Sequence, residues 1–131
     1  MADTFTADIS AFIDKIGDLL DLVVASSAQE VVKVAQAPKA KGGRMPVDTG
    51  FLRNSLQASL QGGTSLTGPE GYVAVVSGMR AGQIADFGWT ATYAAAVEFG
   101  AQGRKPAFFA RGAIQQWEAI VMRQAQRFAE L

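Results

Sequence analysis

The stretch PVDTGFLRNSL, Pro46 to Leu56, decides how the middle of this chain is read. It follows AQAPKAKGGRM, which has no hydrophobic period, and it opens the patterned centre of the sequence. Pro46 fixes its own φ and favours an extended residue before it. Asp48 and Thr49 are good helix N-caps, because their side-chain oxygens accept from free backbone N–H groups. Gly50 permits an unusual φ or a close approach. Phe51, Leu52 and Leu56 then supply the apolar side of a short turn or strand, with Arg53 and Asn54 facing elsewhere.

Upstream, Phe5, Ile9, Phe12, Ile13, Ile16, Leu19, Leu20, Val23, Val24, Val31 and Val34 recur at three- and four-residue steps, which predicts a helix over residues 5–36. Thr4 or Thr6 can cap it, early acids suit its dipole, and Pro38 stops it. About thirty residues make a rod of roughly 45 Å, long for a domain of this size. Either the whole apolar stripe covers this chain's own sheet, or part of it packs on another subunit. Ala37 to Met45 reads as a basic loop carrying Lys39, Lys41 and Arg44, with nothing to bury.

Downstream, Leu56 to Leu60 alternates as a strand, and Gln61 to Gly71 is a glycine-rich turn without a Gly-Lys-Ser/Thr ending, which excludes a phosphate-binding loop. Tyr72 to Ser77 (YVAVVS) reads as the clearest strand, and Ile84 to Thr92 as another. Tyr93 to Phe99 predicts a short helix closed by Gly100, Ala101 to Lys105 a loop, and Pro106 the first turn of a helix running to about Phe128. The expected architecture is α+β in one domain, residues 1–131. Residues 1–36 form a long helix and 37–45 a basic loop. Residues 46–105 form an antiparallel sheet of three to four strands with a short helix, and 106–128 a C-terminal helix.

Composition narrows function. The chain of 131 residues is 49% hydrophobic, 18% charged and of zero net charge, with no cysteine and no histidine. Disulfides and thiolate chemistry are excluded, and the usual neutral-pH base and commonest metal ligand are missing. No HExxH, GxSxG or Asp-x-Asp cluster occurs, so no catalytic residue, metal or cofactor is expected. A carboxylate pair, such as Asp86 with Glu98, or a Ser–Lys arrangement is what remains for catalysis. Glu98 lies in an apolar run and needs a cation or N–H partner, for which Arg53 is the candidate. No apolar run approaches the roughly 20 residues of a membrane span, so a soluble product of a cytoplasm is expected.

Charge is unevenly placed. Residues 1–30 hold six acids and one base, whereas 33–53 hold five bases against Asp48, and 104–127 hold five against Glu118. The acidic helix and the basic segments are candidate complementary surfaces between identical subunits. Lys39, Lys41, Arg44, Arg104 and Lys105 are the candidates for an interface or for contact with DNA.

Three segments together resemble a known family. Val47-Asp48-Thr49-Gly50-Phe51-Leu52-Arg53-Asn54-Ser55, then Tyr93-Ala94-Ala95-Ala96-Val97-Glu98-Phe99-Gly100, then Pro106-Ala107-Phe108 are similar, in order and spacing, to small tail-component proteins of long-tailed bacteriophages. The resemblance covers roughly residues 1–125 and departs at Arg104-Lys105 and in the glycine-rich middle. It implies that Asp48, Thr49, Gly50, Leu52, Arg53, Tyr93, Glu98, Phe99, Gly100, Pro106 and Phe108 are structural motif residues. It also implies a non-enzymatic virion protein made in the host cytoplasm. Its place would be the head–tail junction, as a neck or tail-completion ring of six identical subunits between connector and tail tube. Its partners would be copies of itself and the neighbouring neck, connector and tail proteins, with non-specific contact to genomic DNA in the lumen and no membrane. A tail terminator, capping tube polymerisation, is the alternative, and a non-sequence-specific DNA-contacting module a more distant one.

Overall fold

A computed structural model describes residues 2–47, 50–101 and 103–129, with side chains from residue 8 onward. The first element, helix α1 (Ala2–Ala35), is an unbroken rod. Its C-terminal half packs against the rest of the chain through Ala25, Ala28, Val32 and Ala35, all buried. Small residues at three- and four-residue steps allow that close packing.

The sheet is antiparallel and three-stranded, in the order β2 (Leu66–Thr67), β1 (Leu56–Leu60), β3 (Ala85–Trp89). Register sets Leu56 opposite Trp89 and Ala58 opposite Phe87. The period of two therefore puts these four on one face. That face is covered by Val32 of α1 and by Tyr72 of a short helix, α3 (Gly71–Val76). Gln57, Asp86 and Gly88 on the other face are exposed. This is the α+β arrangement expected, with helices on one side of a small sheet.

Tyr72 to Ser77 is a correction: Gly71–Val76 is helical, not a strand. Tyr72 and Val76, four apart, are buried, whereas Val73 and Ala74 between them are exposed, a helical period. The β-preference of three valines yields here to tertiary packing, which seats Tyr72 on the sheet face beside Leu56, Ala58 and Val32.

The C-terminal helix is also corrected. Pro106 is not in its first turn. Helix α5 begins at Phe109 and ends at Ile114, and α6 runs Trp117–Ala129 after a break at Gln115 and Gln116. Both pack on α1. Ile120 is fully buried, while Trp117 is exposed. Across the α1–α6 contact Glu30 meets Arg123 and Gln124. Some of the acid–base complementarity in the sequence is thus used inside one chain. Burial disfavours the charged Glu30 carboxylate. The hydrogen bonds from Gln124 and Arg123, with the nearby Arg123 and Lys33 charges, outweigh that and hold its pKa below the usual value.

A second apolar cluster, Met45, Leu52, Ala91 and Phe109, adjoins the sheet through Trp89, whose ring meets Phe109 edge-on at 5.0 Å. Gln36, buried at the end of α1, ties the parts together. Its amide donates to Pro69 O at 2.8 Å and its oxygen accepts from Trp89 Nε1 at 3.3 Å.

Candidate functional site

The loop after α1 closes on itself and does bury a side chain, contrary to the expectation that it has nothing to bury. Met45 at its end is fully buried. Met45 N–H donates to Ala37 O and Lys39 N–H donates to Met45 O, closing the segment around a 3-10 turn at Lys39–Lys41. Gly43 is required there, because a Cβ would sit 1.9 Å from Ala37 O. The basic side chains are therefore displayed from a fixed frame.

Phe51–Asn54 forms a single helical turn, α2, with Gly50 at its N-cap position and no side-chain cap. The expected caps Asp48 and Thr49 lie outside the described residues. Leu52 enters the second cluster, and Phe51 stacks on Tyr93, with ring centroids 6.1 Å apart. The first motif thereby meets the second, about forty residues away in sequence.

Tyr93 precedes helix α4 (Ala94–Phe99). Its last residues join it to α5. Phe108, at the α5 N-cap position, has φ 50° and ψ 41° and supplies no side-chain cap. Glu98 supplies it from outside: Oε1 accepts from Ala110 N–H at 3.1 Å and Oε2 from Arg111 N–H at 2.8 Å. Two of the orphan amides of a helix start are thus satisfied by one carboxylate. The backbone adds Ala107 N–H to Val97 O and Phe108 N–H to Glu98 O. Phe99 carries the Arg111 guanidinium over its ring at 5.4 Å. Gly100, at φ 83°, turns the chain so tightly that a Cβ would meet Arg104 O at 2.8 Å. Val97 to Gly100 and Pro106 to Phe108 form one clasp.

Arg53 is not part of it. The Arg53–Glu98 ion pair expected from the sequence does not form, because backbone amides hold the carboxylate. Arg53 lies elsewhere, where its charge acts on Tyr72. Burial raises the Tyr72 phenol above its ordinary value, and the Arg53 guanidinium opposes that rise. Arg53 Nε is itself buried with no hydrogen-bond partner among the described residues.

Between the clasp, the closed loop and α2 lies an open groove of about 1000 Å³. Pro46, Phe51, Leu52, Tyr93, Val97 and Pro106 line it, and Lys39, Arg44, Arg104 and Lys105 stand around it. Among the described residues lining it there are four cations and no carboxylate. Four of the five candidate interface cations, from two distant segments, are brought together here; Lys41 is exposed outside the lining.

Neither Asp86 nor Glu98 lines this groove. Glu98 is 7% exposed with both oxygens engaged by backbone amides, whereas Asp86 is exposed on the far face of β3. The two do not form the convergent, accessible pair that acid–base catalysis requires. Among the described residues no group of three or more acidic side chains is placed to hold a metal ion, and no helix is long and apolar enough to cross a membrane.

The other prominent surface is the N-terminal half of α1. From Asp8 to Asp18 every side chain is exposed, including Phe12 at 63% and Ile13 at 61%. With Ile9, Ile16 and Leu20 they make a stripe down one side of the rod, spanning roughly 17 Å from Ile9 to Leu20. The sequence left open whether this stripe covers the chain's own sheet; it does not. The role of Gln36 was not foreseen; of the two kinds of partner expected for Glu98, the N–H kind is present, from Ala110 and Arg111. Compared with known proteins, the chain matches no family model, no curated protein and no solved structure.

Proposed function

We propose that this chain is a structural virion protein of a long-tailed bacteriophage, a neck or tail-completion component that assembles as a ring between head connector and tail tube. The observation that carries this reading is the unpartnered apolar stripe on the free half of α1. A monomer gains nothing by displaying Phe12, Ile13 and Ile16 to water, and exposed apolar patches of this kind mark contacts. The motif residues support it as well. Glu98, Phe99, Gly100, Pro106 and Phe108 belong to the clasp, and Tyr93 and Pro106 line the groove beside it, so the motif residues frame a surface suited to a partner. The three sequence motifs supply the phage assignment. The stoichiometry that the resemblance implies is six.

The test is loss of the gene from its phage, with lysates imaged by electron microscopy. The expected result is DNA-filled heads separated from tails of normal length, and recovery of the protein in purified wild-type particles by mass spectrometry. Tails of irregular length would instead identify a terminator. Absence of the protein from purified particles, or enzymatic turnover lost in Glu98→Gln, would overturn the structural reading.

A further inference from the structure

We infer that the groove between the clasp and the closed loop receives the free half of α1 from a second copy of this chain. The inference deepens the ring reading, on which it rests for the identity of the occupant. Three observations converge. The groove has an apolar floor of Pro46, Phe51, Leu52, Tyr93, Val97 and Pro106, and the chain's own α1 does not enter it. The projecting helix has an apolar stripe with no intramolecular cover. Their charges are opposite: Lys39, Arg44, Arg104 and Lys105 surround the groove, whereas the exposed turns of α1 carry Asp8, Asp14 and Asp18 against Lys15. The chain as a whole is neutral, so this opposition is internal to it.

The helical repeat assigns different work to the two kinds of residue. At about 100° per residue, Ile9, Phe12, Ile13, Ile16 and Leu20 share one side, Asp8 borders it, and Asp14 and Asp18 lie on the far side. The stripe therefore fills the groove. Two of the three acids sit across a helix about 10–12 Å wide, roughly one Debye length at physiological salt. They steer and orient the approach rather than form contact ion pairs.

Helix and groove are different surfaces, so two copies either exchange helices reciprocally or join head-to-tail; the ring reading selects the head-to-tail, heterologous joint. Each docking leaves one helix and one groove unused, until a ring closes. This separates the inference from its main competitor, in which two stripes pair directly in a two-fold dimer.

The experiment uses the full chain and two double variants, Phe12→Ser with Ile16→Ser on the helix and Arg104→Glu with Lys105→Glu at the groove, all exposed positions. Mass is measured by native spectrometry and sedimentation at low and high salt, with circular dichroism confirming the fold. Wild type is expected to form one closed species larger than a dimer, weakened by salt. Each variant alone is expected to be monomeric. Their equimolar mixture is expected to give a dimer, because one intact helix then meets one intact groove. Wild-type assembly by the groove variant overturns the inference in favour of stripe-on-stripe pairing, and leaves the ring reading standing. Normal assembly with loss of salt-sensitive DNA retention overturns it in favour of a groove that serves DNA. A wild-type chain that stays monomeric overturns it outright, while the head–tail reading is then decided separately by the content of purified particles.

Discussion

Removing the Glu98 carboxylate tests the clasp most directly. In Glu98→Ala the N–H groups of Ala110 and Arg111 lose acceptors at 3.1 and 2.8 Å. Hydrogen bonds to a charged group contribute about 1.5–3 kcal/mol each. Arg111 is exposed and Ala110 half-buried, so water replaces part of the loss. The lower end applies, about 3 kcal/mol for the pair. With an unfolding entropy of about 2.1 cal/mol/K per residue, 131 residues give about 0.28 kcal/mol/K. The melting temperature should then fall by about 11 °C. Glu98→Gln keeps one acceptor but turns an N–H₂ toward a backbone N–H, so it should lose at least half as much. The assay is thermal and urea unfolding followed by circular dichroism. Because Arg53 does not touch Glu98, Arg53→Met and Glu98→Gln should be additive in a double-mutant cycle. Unchanged melting in Glu98→Gln would refute the clasp, and a coupling energy above about 0.5 kcal/mol would restore the ion pair.

Gly100→Ala should destabilise by about 1–3 kcal/mol, since it combines a positive φ with a backbone clash at Arg104 O; a melt equal to wild type would contradict this. Gln36→Leu should cost about 1–3 kcal/mol by stranding Pro69 O and Trp89 Nε1, and indole fluorescence should shift with it. Glu30 has a folded-state pKa below its unfolded one, so its stabilising effect is present above the unfolded value of about 4.3 and is lost as pH falls through the lowered folded value. Urea midpoints measured down through that window should drop less in Arg123→Met than in wild type, and parallel profiles would show that the Arg123 contact does not carry the effect.

The strongly periodic parts were legible in the sequence: α1, the strand at Leu56–Leu60 and the short helix ending at Gly100. What escaped was local or backbone-mediated. Six residues of YVAVVS carry too little pattern to decide between periods, and packing on the sheet face decided it instead. Glu98 advertised a need for a partner, but backbone amides leave no mark on a sequence, so the cation in the companion motif looked like the answer. Pro106 pointed to a helix start two residues away from the real N-cap, because tertiary bonds to Val97 O and Glu98 O hold Ala107 and Phe108 out of helix. Of the groove, the sequence supplied the cations but not their convergence. Lys39 and Arg44 are some sixty residues from Arg104 and Lys105, and only the closed loop and the clasp bring them together.

The free half of α1 has a thermodynamic consequence of its own. Lone helical segments shorter than about 12–15 residues are marginal in water, and the turns from Asp8 to Asp18 have no tertiary cover. The helicity of the turns from Asp8 to Asp18 in a free subunit rests on continuity with the packed half, which spares them nucleation but not propagation. Gly17, within that segment, has nothing near it to pack against and lowers the propagation further. In the docking proposed above, the groove would therefore select the helical fraction of a helix–coil equilibrium, and association strength would follow that fraction. Warming should loosen the joint before it melts the fold, and Gly17→Ala should tighten assembly without adding a single contact.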